Sequence, residues 1–361
     1  MKKLLTILCL VLLVSCSNEV PSDKLVERNG ITYEVNSTTP FTGSSVGYHD
    51  NSQLKERENY KDGKEEGLQE EFFDNGQLQE KRNIENGELV LHQTFDREGN
   101  SLNDLTFTDG KKTGVEVGFR KNGQLWSRTN YKNGKQDGLR EDFYRNGQLE
   151  KRGNYKDGLI EGLYEGFREN GQLEYIENYK IGELDGLRET FHENSQLEVR
   201  NNYKLGIRHG LYEVFYENGQ LQETGNYKNG LLEDLVEWFY ENGQLWRTEN
   251  YKDGKEEGLW KFFDGNGNPT KTEEYKNGIE TSYTNFIYYD NGQLWRTENY
   301  KDGKSHGLRE EYFVNGQLEK KENYKNGKKD GLQRRYDDDG RLRNTFCLKN
   351  GKFVDMSYCE D

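Results

Sequence analysis

Proline is nearly missing, with 3 in 361 residues, and the 41 glycines follow no Gly-X-Y period, which excludes a collagen-like triple helix. Apolar residues are few, at 31% against 32% charged, a balance that taken alone leans towards disorder. No block of one charge sign is present. The net charge of −14 is spread as interleaved runs such as Glu150-Lys151-Arg152. That disfavours nucleic acid, whose binding is led by basic surfaces, and electrostatic attachment to anionic lipid. Only 5 histidines occur. His49 and His192 share one repeat slot but lie about 60 Å apart at two strands per unit, and His209 and His306 share another about 40 Å apart. His92 stands alone. Catalysis needs unlike groups to converge, so no catalytic residue, cofactor or metal site is expected. The Asp-Gly turns lack the alternating ligands of a calcium loop, and no glycine-rich phosphate loop opens a helix.

What the chain does have is a period. A tetrapeptide slot, Asn-Gly-Gln-Leu in the cleanest copies, starts at 51, 75, 122, 146, 170, 194, 218, 242, 266, 291 and 315, mostly 24 residues apart. Weak copies sit at Glu98-Gly99-Asn100 and at Asp339-Gly340-Arg341-Leu342. A one-residue loss before 98 and a gain before 291 cancel, so about 13 units tile residues 25–352. The 24 Tyr and 17 Phe recur mostly at fixed slots, which argues against disorder. Fixed periods of this size mean stacked supersecondary units in place of a globular enzyme domain.

Within one unit, Asn146-Gly147 is the strongest hairpin signal and reads as a type I′ turn. Leu149 to Tyr155 is a strand with Leu149, Lys151, Gly153 and Tyr155 on one face. Asp157-Gly158 makes a second turn. Gly162 to Phe167 returns, with Leu163, Glu165 and Phe167 on one face. The expected fold is therefore all-β: an elongated single-layer antiparallel sheet of tandem 24-residue β-hairpin repeats, with the Leu, Tyr and Phe slots stacking into a stripe. The pattern departs around 86–110 and at Asn266-Gly267-Asn268-Pro269, as bends or caps in the array would. Trp126, Trp246 and Trp295 occupy the position after the tetrapeptide Leu. Alternation turns them away from the Leu149 face, either as cross-strand packing or as aromatics that bind a sugar ring or a protein partner.

The N-terminus carries a separate signal. Met1-Lys2-Lys3 precedes an apolar run from Leu4 to Val14, too short to span a bilayer as a mature helix. Leu13-Val14-Ser15-Cys16 resembles a bacterial lipoprotein lipobox. The resemblance implies a signal peptide over 1–15, cleavage after Ser15, lipidation of Cys16 and a tether over 16–24. Removing Lys2 and Lys3 takes the net charge from −14 to −16. Acyl chains would hold the protein at the cell envelope, and Ser17 favours the outer over the inner membrane. Of 4 cysteines, Cys9 leaves with the leader. Cys347 and Cys359 remain, either as a disulfide closing the C-terminal cap at 353–361 or as two thiols.

The repeated Asn-Gly-Gln-Leu, the turns Tyr60-Lys61-Asp62-Gly63 and Tyr251-Lys252-Asp253-Gly254, and the Gly-Leu before the aromatic strand together resemble the MORN-repeat variant family, including proteins that carry a YwqK-type antitoxin name. Gly30-Ile31-Thr32-Tyr33 with Pro40-Phe41-Thr42-Gly43 resembles that family's first unit. The resemblance implies a lipid-binding, docking or scaffolding element. The expected function is an envelope-anchored, non-catalytic interaction module with an unknown protein partner. Immunity against a toxin and cell-wall glycan binding are the alternatives.

Overall fold

The computed structural model describes residues 19–359; Cys16 and the leader fall outside them. The described chain is strand and turn, apart from two single 3-10 turns at Ser22–Lys24 and Met356–Cys359. It divides into two compact units, ending and beginning at Glu161 and Gly162. In the first, the strands from Gly43–Tyr48 to Leu149–Lys156 pair antiparallel in chain order. In the second, the same order runs from Leu173–Lys180 to Lys352–Val354. The all-β, antiparallel, tandem-hairpin reading describes both. The leading edge strand, Gly43–Tyr48, is covered by Val20–Pro21, which pairs with it in parallel. Pro21 has no N–H with which to extend the ladder further.

The two turns exchange the roles expected of them. Asn146-Gly147 is not type I′. Gly147 N–H donates to the Tyr144 carbonyl at 3.1 Å, Tyr144 N–H donates to the Gln148 carbonyl at 2.8 Å, and only Gly147 has a positive φ, 86°. This is a three-residue loop, a type I turn followed by a left-handed glycine. The Asn146 side chain explains the preference: its Oδ1 accepts the Gln148 N–H at 2.9 Å, an Asx turn. The type I′ turn is the other one, where Asp157 (φ 52°) and Gly158 (φ 90°) are both left-handed. The weak copies keep the loop by moving the acceptor two residues upstream. Asp96 takes the Asn100 N–H at 2.8 Å, Asp264 the Asn268 N–H at 2.9 Å and Asp337 the Arg341 N–H at 2.8 Å.

Each regular return strand carries a wide bulge. Tyr131 pairs with Gln136 and Thr129 with Arg140, so Asp137, Gly138 and Leu139 oppose Asn130 alone. Gly138 takes φ 106°, and its counterparts Gly186, Gly210, Gly307 and Gly331 lie between 92° and 108°. The opposed asparagine closes the gap. Asn130, Asn178, Asn202, Asn250 and Asn323 donate Nδ2–H to the carbonyls of Leu139, Leu187, Leu211, Leu259 and Leu332 at 2.6–2.8 Å. The one-residue loss is absorbed here, since in the hairpin Leu78–Glu85/Glu88–Phe95 the register slips by one residue only, whereas the gain lengthens the return strand Ile279–Tyr288 to 10 residues.

The expected Leu stripe does not form. Leu163 pairs with Asn178, and Tyr164 with Glu177. Residues paired across strands share a face, so the Leu of Gly-Leu stands opposite the tyrosines. Leu139, Leu163, Leu211, Leu235 and Leu259 are 38–44% exposed. Most of the buried positions lie on the tyrosine face. They include Tyr212, Val236 and Trp260 on return strands, and Thr129, Asn201, Glu249, Glu273 and Glu322 at the centre of outgoing ones.

Asp234 occupies the bulge slot that is glycine elsewhere, at φ 65°. Gly210→Ala is expected to cost about 1–2 kcal/mol, and Asp234→Gly to gain up to about 1 kcal/mol, because only glycine takes this conformation without strain. Urea unfolding midpoints of the two variants check both signs.

Candidate interaction surface

The tyrosine face is held by a polar ladder. In the Glu-x-Tyr segments, the hydroxyls of Tyr60, Tyr179, Tyr251, Tyr275, Tyr300 and Tyr324 donate to the carboxylates of Glu58, Glu177, Glu249, Glu273, Glu298 and Glu322 at 2.6–3.1 Å. Basic side chains take the remaining carboxylate oxygens: Arg247–Glu249 at 2.8 Å, Arg188–Glu177 at 2.8 Å, Arg296–Glu298 at 3.1 Å and Lys329–Glu322 at 2.6 Å. Rings from return strands fill in between, with centroids 4.6 Å apart for Trp260–Tyr275 and Tyr283–Tyr300 and 5.0 Å for Tyr212–Tyr227. Burial, then the adjacent carboxylate, pushes the hydroxyls of Tyr60, Tyr179, Tyr251 and Tyr275 well above 10, and that of Tyr312 up to about 12. Burial raises the Glu223 carboxyl although Tyr212 donates to it. At Glu311, burial is outweighed by Lys320 and Arg309, and its carboxyl is lowered.

The tryptophans lie on this face too, which corrects the reading from alternation. Phe239 pairs with Leu245 and Trp238 with Arg247, so Trp246 is an extra residue in a second bulge. Trp126 and Trp295 are extra in the same way. At such a bulge the two-residue alternation lapses. Trp246 packs edge-on to Trp238 at 6.3 Å, and the Arg247 guanidinium sits 4.5 and 4.7 Å from the two rings. Neighbouring residues of a regular strand point to opposite faces and cannot stack so. Trp295 rests 6.1 Å from Tyr289 under Arg296, at 4.5 Å. The Trp126 indole lies over Gly118, where any side chain would collide with it. Trp126 and Trp246 remain 43% and 37% exposed.

Both rows of turns are tied from unit to unit. On the Asn-Gly row, a donor two residues before the tetrapeptide reaches the end of the next return strand. His49 and His192 do so through Nε2, to the Phe72 and Phe215 carbonyls at 2.8 and 2.9 Å. Arg120 bonds the Phe143 carbonyl at 2.8 Å, and Tyr216, Tyr240 and Tyr289 bond the Phe239, Phe263 and Tyr312 carbonyls at 2.7–2.9 Å. The slot the two histidines share is thus a structural donor position. His92 pairs with Glu80 at 2.8 Å. On the Lys-x-Gly row, side-chain acceptors 20 residues back take the turn N–H groups: Glu233 from Asp253 and Glu257 from Asn277 at 2.8 Å, and Asp330 from Asn350 at 2.7 Å.

Charges that interleave along the chain recur at fixed slots on these rows, and the Lys-x-Gly row holds acidic residues such as Glu233 and Glu257 beside its lysines. In the second unit every Lys-x-Gly turn from Lys180 to Lys349 opens with an exposed lysine, and the opposite row carries exposed Glu193, Glu217, Glu241 and Asp290. Sequence reasoning missed this regularity; its signal was the constancy of each charge at its own slot. Asp337, Asp338 and Asp339 place carboxylate oxygens within 4.8 Å of one another. Cys347 and Cys359 are joined by a disulfide, with their Cα atoms 6.0 Å apart, drawing the last residues back to the strand Leu342–Lys349.

The MORN repeat variant signature matches eleven segments between residues 41 and 326, from 41–62 and 65–86 to 284–302 and 305–326. No curated protein matches the chain. Among solved structures, it is similar to a TcdB2-TccC3 crystal structure at 12% identity and a TM-score of 0.19, over 88% of this chain and 19% of that one. It is also similar to an alternansucrase in complex with isomaltononaose, at 14% identity and a TM-score of 0.17, over 75% of this chain and 20% of that one. The chain thus spans about a fifth of the chains it resembles.

Because folding holds these hydroxyls protonated above the usual tyrosine value of 10, the ladder contributes fully below pH 10. Its contribution is lost as pH rises through the raised values, about 12 for Tyr312. Phenolate absorbance should therefore lag free tyrosine and then rise together with loss of the β-sheet signal. Trp246→Ala should cost about 1–2 kcal/mol of second-unit stability through its ring and guanidinium contacts. A triple Trp126→Ala, Trp246→Ala, Trp295→Ala chain that keeps its denaturation midpoints and loses retention on a captured partner or on cell wall would assign these rings to ligand binding instead.

Proposed function

Because the chain belongs to the MORN repeat variant family, we propose that it works without catalysis, as an envelope-anchored array that docks another protein. The observation that carries this reading is the regular surface. Both units repeat one hairpin, with an aromatic and carboxylate face between two hydrogen-bonded rows of turns. Such a surface offers many equivalent positions at a fixed step, as repeat arrays do for extended partners. The Leu13-Val14-Ser15-Cys16 segment supports anchoring through acyl chains on Cys16, with the array held outside the membrane. Immunity against a toxin is one form of the same reading, with the toxin as partner.

A second reading, binding of cell-wall glycan, is favoured by the partly exposed rings of Trp126 and Trp246, since exposed indoles stack on sugar faces.

Affinity capture from the native cell envelope separates the two. The bait is the chain from Ser17 onward, used at two salt concentrations beside a pull-down on purified wall. One stoichiometric protein, read by mass spectrometry, is the outcome expected. Retention on wall with no protein enriched would overturn docking in favour of the glycan reading.

A further inference from the structure

The polar ladder has a gap in the first unit. In four outgoing strands of the second unit, a basic side chain stands two residues before the central carboxylate: Arg247 and Glu249, Lys271 and Glu273, Arg296 and Glu298, Lys320 and Glu322. In the strand Leu125–Lys132 the same two slots hold Ser127 and Thr129. Across from the basic slot stand Trp238, Phe262, Ile287 and Glu311, but across from Ser127 stands Gly118. Three adjacent positions on the tyrosine face thus lose their bulk. A cavity of about 370 Å³ opens over them, within the size range of small-molecule sites.

Ser127 and Thr129 line this cavity and are only 7% and 5% exposed. Among the described residues, neither hydroxyl has a hydrogen-bond partner. The fold has no use for them as hydroxyls. Alanine and valine have nearly the same shape and would remove two buried polar groups that only water or a ligand can satisfy. Buried Leu105 adds apolar surface beside them. Trp126 stands at one end of the cavity, and Gln136 lines the other. After Trp246 and Trp295 comes an arginine whose guanidinium covers the ring, at 4.7 and 4.5 Å. After Trp126 comes Ser127, and among the described residues no basic group covers this indole. The charged groups of the wall are each paired: Glu116 with Lys112 at 2.6 Å, Arg140 with Asp142 at 3.1 Å and His92 with Glu80 at 2.8 Å.

A ligand that matches these walls has an apolar face for the indole and neutral hydroxyls at its edge. A pyranose ring with equatorial hydroxyls is built this way, with C–H bonds towards its faces and O–H groups around its rim. Ser127 and Thr129 lie two residues apart on one strand, roughly 6.6 Å, a span that hydroxyls at two ends of one ring can reach. We propose that this cavity binds one neutral pyranose unit of a saccharide, stacked on Trp126 and hydrogen-bonded through its hydroxyls to Ser127 and Thr129. An anion would have to compete with carboxylates already paired in the wall. An aromatic side chain of a protein partner would stack on Trp126 but leave both buried hydroxyls unmet.

This site deepens the glycan reading, on which it rests for the class of ligand, by confining recognition to one place in the first unit. The chain from Ser17 onward is titrated with methyl β-D-glucopyranoside and with N,N′-diacetylchitobiose, followed by calorimetry and saturation-transfer NMR. At least one probe is expected to saturate a single site per chain, with half-saturation at around 1 mM, the order set by ligands of this size. Ser127→Ala with Thr129→Val should weaken that binding about tenfold, the worth of two neutral hydrogen bonds. The same variant should keep its circular dichroism and unfold in urea at or above the wild-type midpoint, because those hydroxyls make no contact in the fold. Trp126→Ala should weaken binding by a similar factor. Binding of neither probe, or binding that the Ser127→Ala, Thr129→Val chain retains in full, would overturn the site. Retention on purified wall by a chain that binds neither probe would overturn this site and leave the glycan reading standing. A probe bound without retention on wall would uphold the site and remove the wall as the source of its ligand.

Discussion

A glycine N–H in the Lys-x-Gly turn donates to a carbonyl 22 residues earlier, and the repeat length follows from that bond. Gly134 reaches Lys112, Gly158 reaches Gln136, Gly230 reaches Arg208 and Gly351 reaches Lys329, all within 2.8–2.9 Å. The bond exists only if the intervening residues make two strands and one loop that end level with the turn before. A residue less is taken up at the Gly-Leu bulge, as in Glu88–Phe95, and a residue more in a longer return strand, as in Ile279–Tyr288. The bulge in turn leaves a carbonyl away from the ladder. A buried or half-buried carbonyl needs a partner, and the asparagine of Asn-Tyr-Lys supplies it.

Hydrogen bonding of this kind lets so polar a chain fold. With 31% apolar residues, no unit can bury a conventional core. Its central face buries glutamates at Glu249, Glu273 and Glu322 instead. A carboxylate is costly to bury unless its lone pairs are filled, and here a tyrosine hydroxyl and a basic group fill them. Individual exposed ion pairs are worth little. The value of the ladder lies in its repetition, because each carboxylate that lost its partner would leave a desolvated charge beside the next unit.

The periodicity, the all-β class and the hairpin unit were legible in the sequence because turn residues and aromatics recur at fixed offsets. The assignment of faces was not. Alternation fails wherever a bulge inserts a residue, and each unit has two, one at the Trp246 position and one at Gly-Leu. Leu163 and Trp246 therefore point to the faces opposite those that counting by two assigns. The turn types were exchanged for a related reason. Asn-Gly suits a type I′ turn, but the Asn146 side chain can also cap the Gln148 N–H, and a local hydrogen bond decided between two turns of similar backbone cost.

Repetition also separates residues that serve the fold from residues that serve something else. The donor slot before the tetrapeptide accepts His49, Arg120 or Tyr216, since any long donor reaches the carbonyl. Variation there carries no functional information. The turn tip is different, because the fold has one clear preference and eleven other units show what satisfies it. Ile181 and Leu205 depart from that preference in adjacent units, in the direction that raises strain and exposes apolar surface. Departures of this kind are expected at functional or strained sites. The two strained tips stand in adjacent turns, flanked by turns that keep the Asp or Asn.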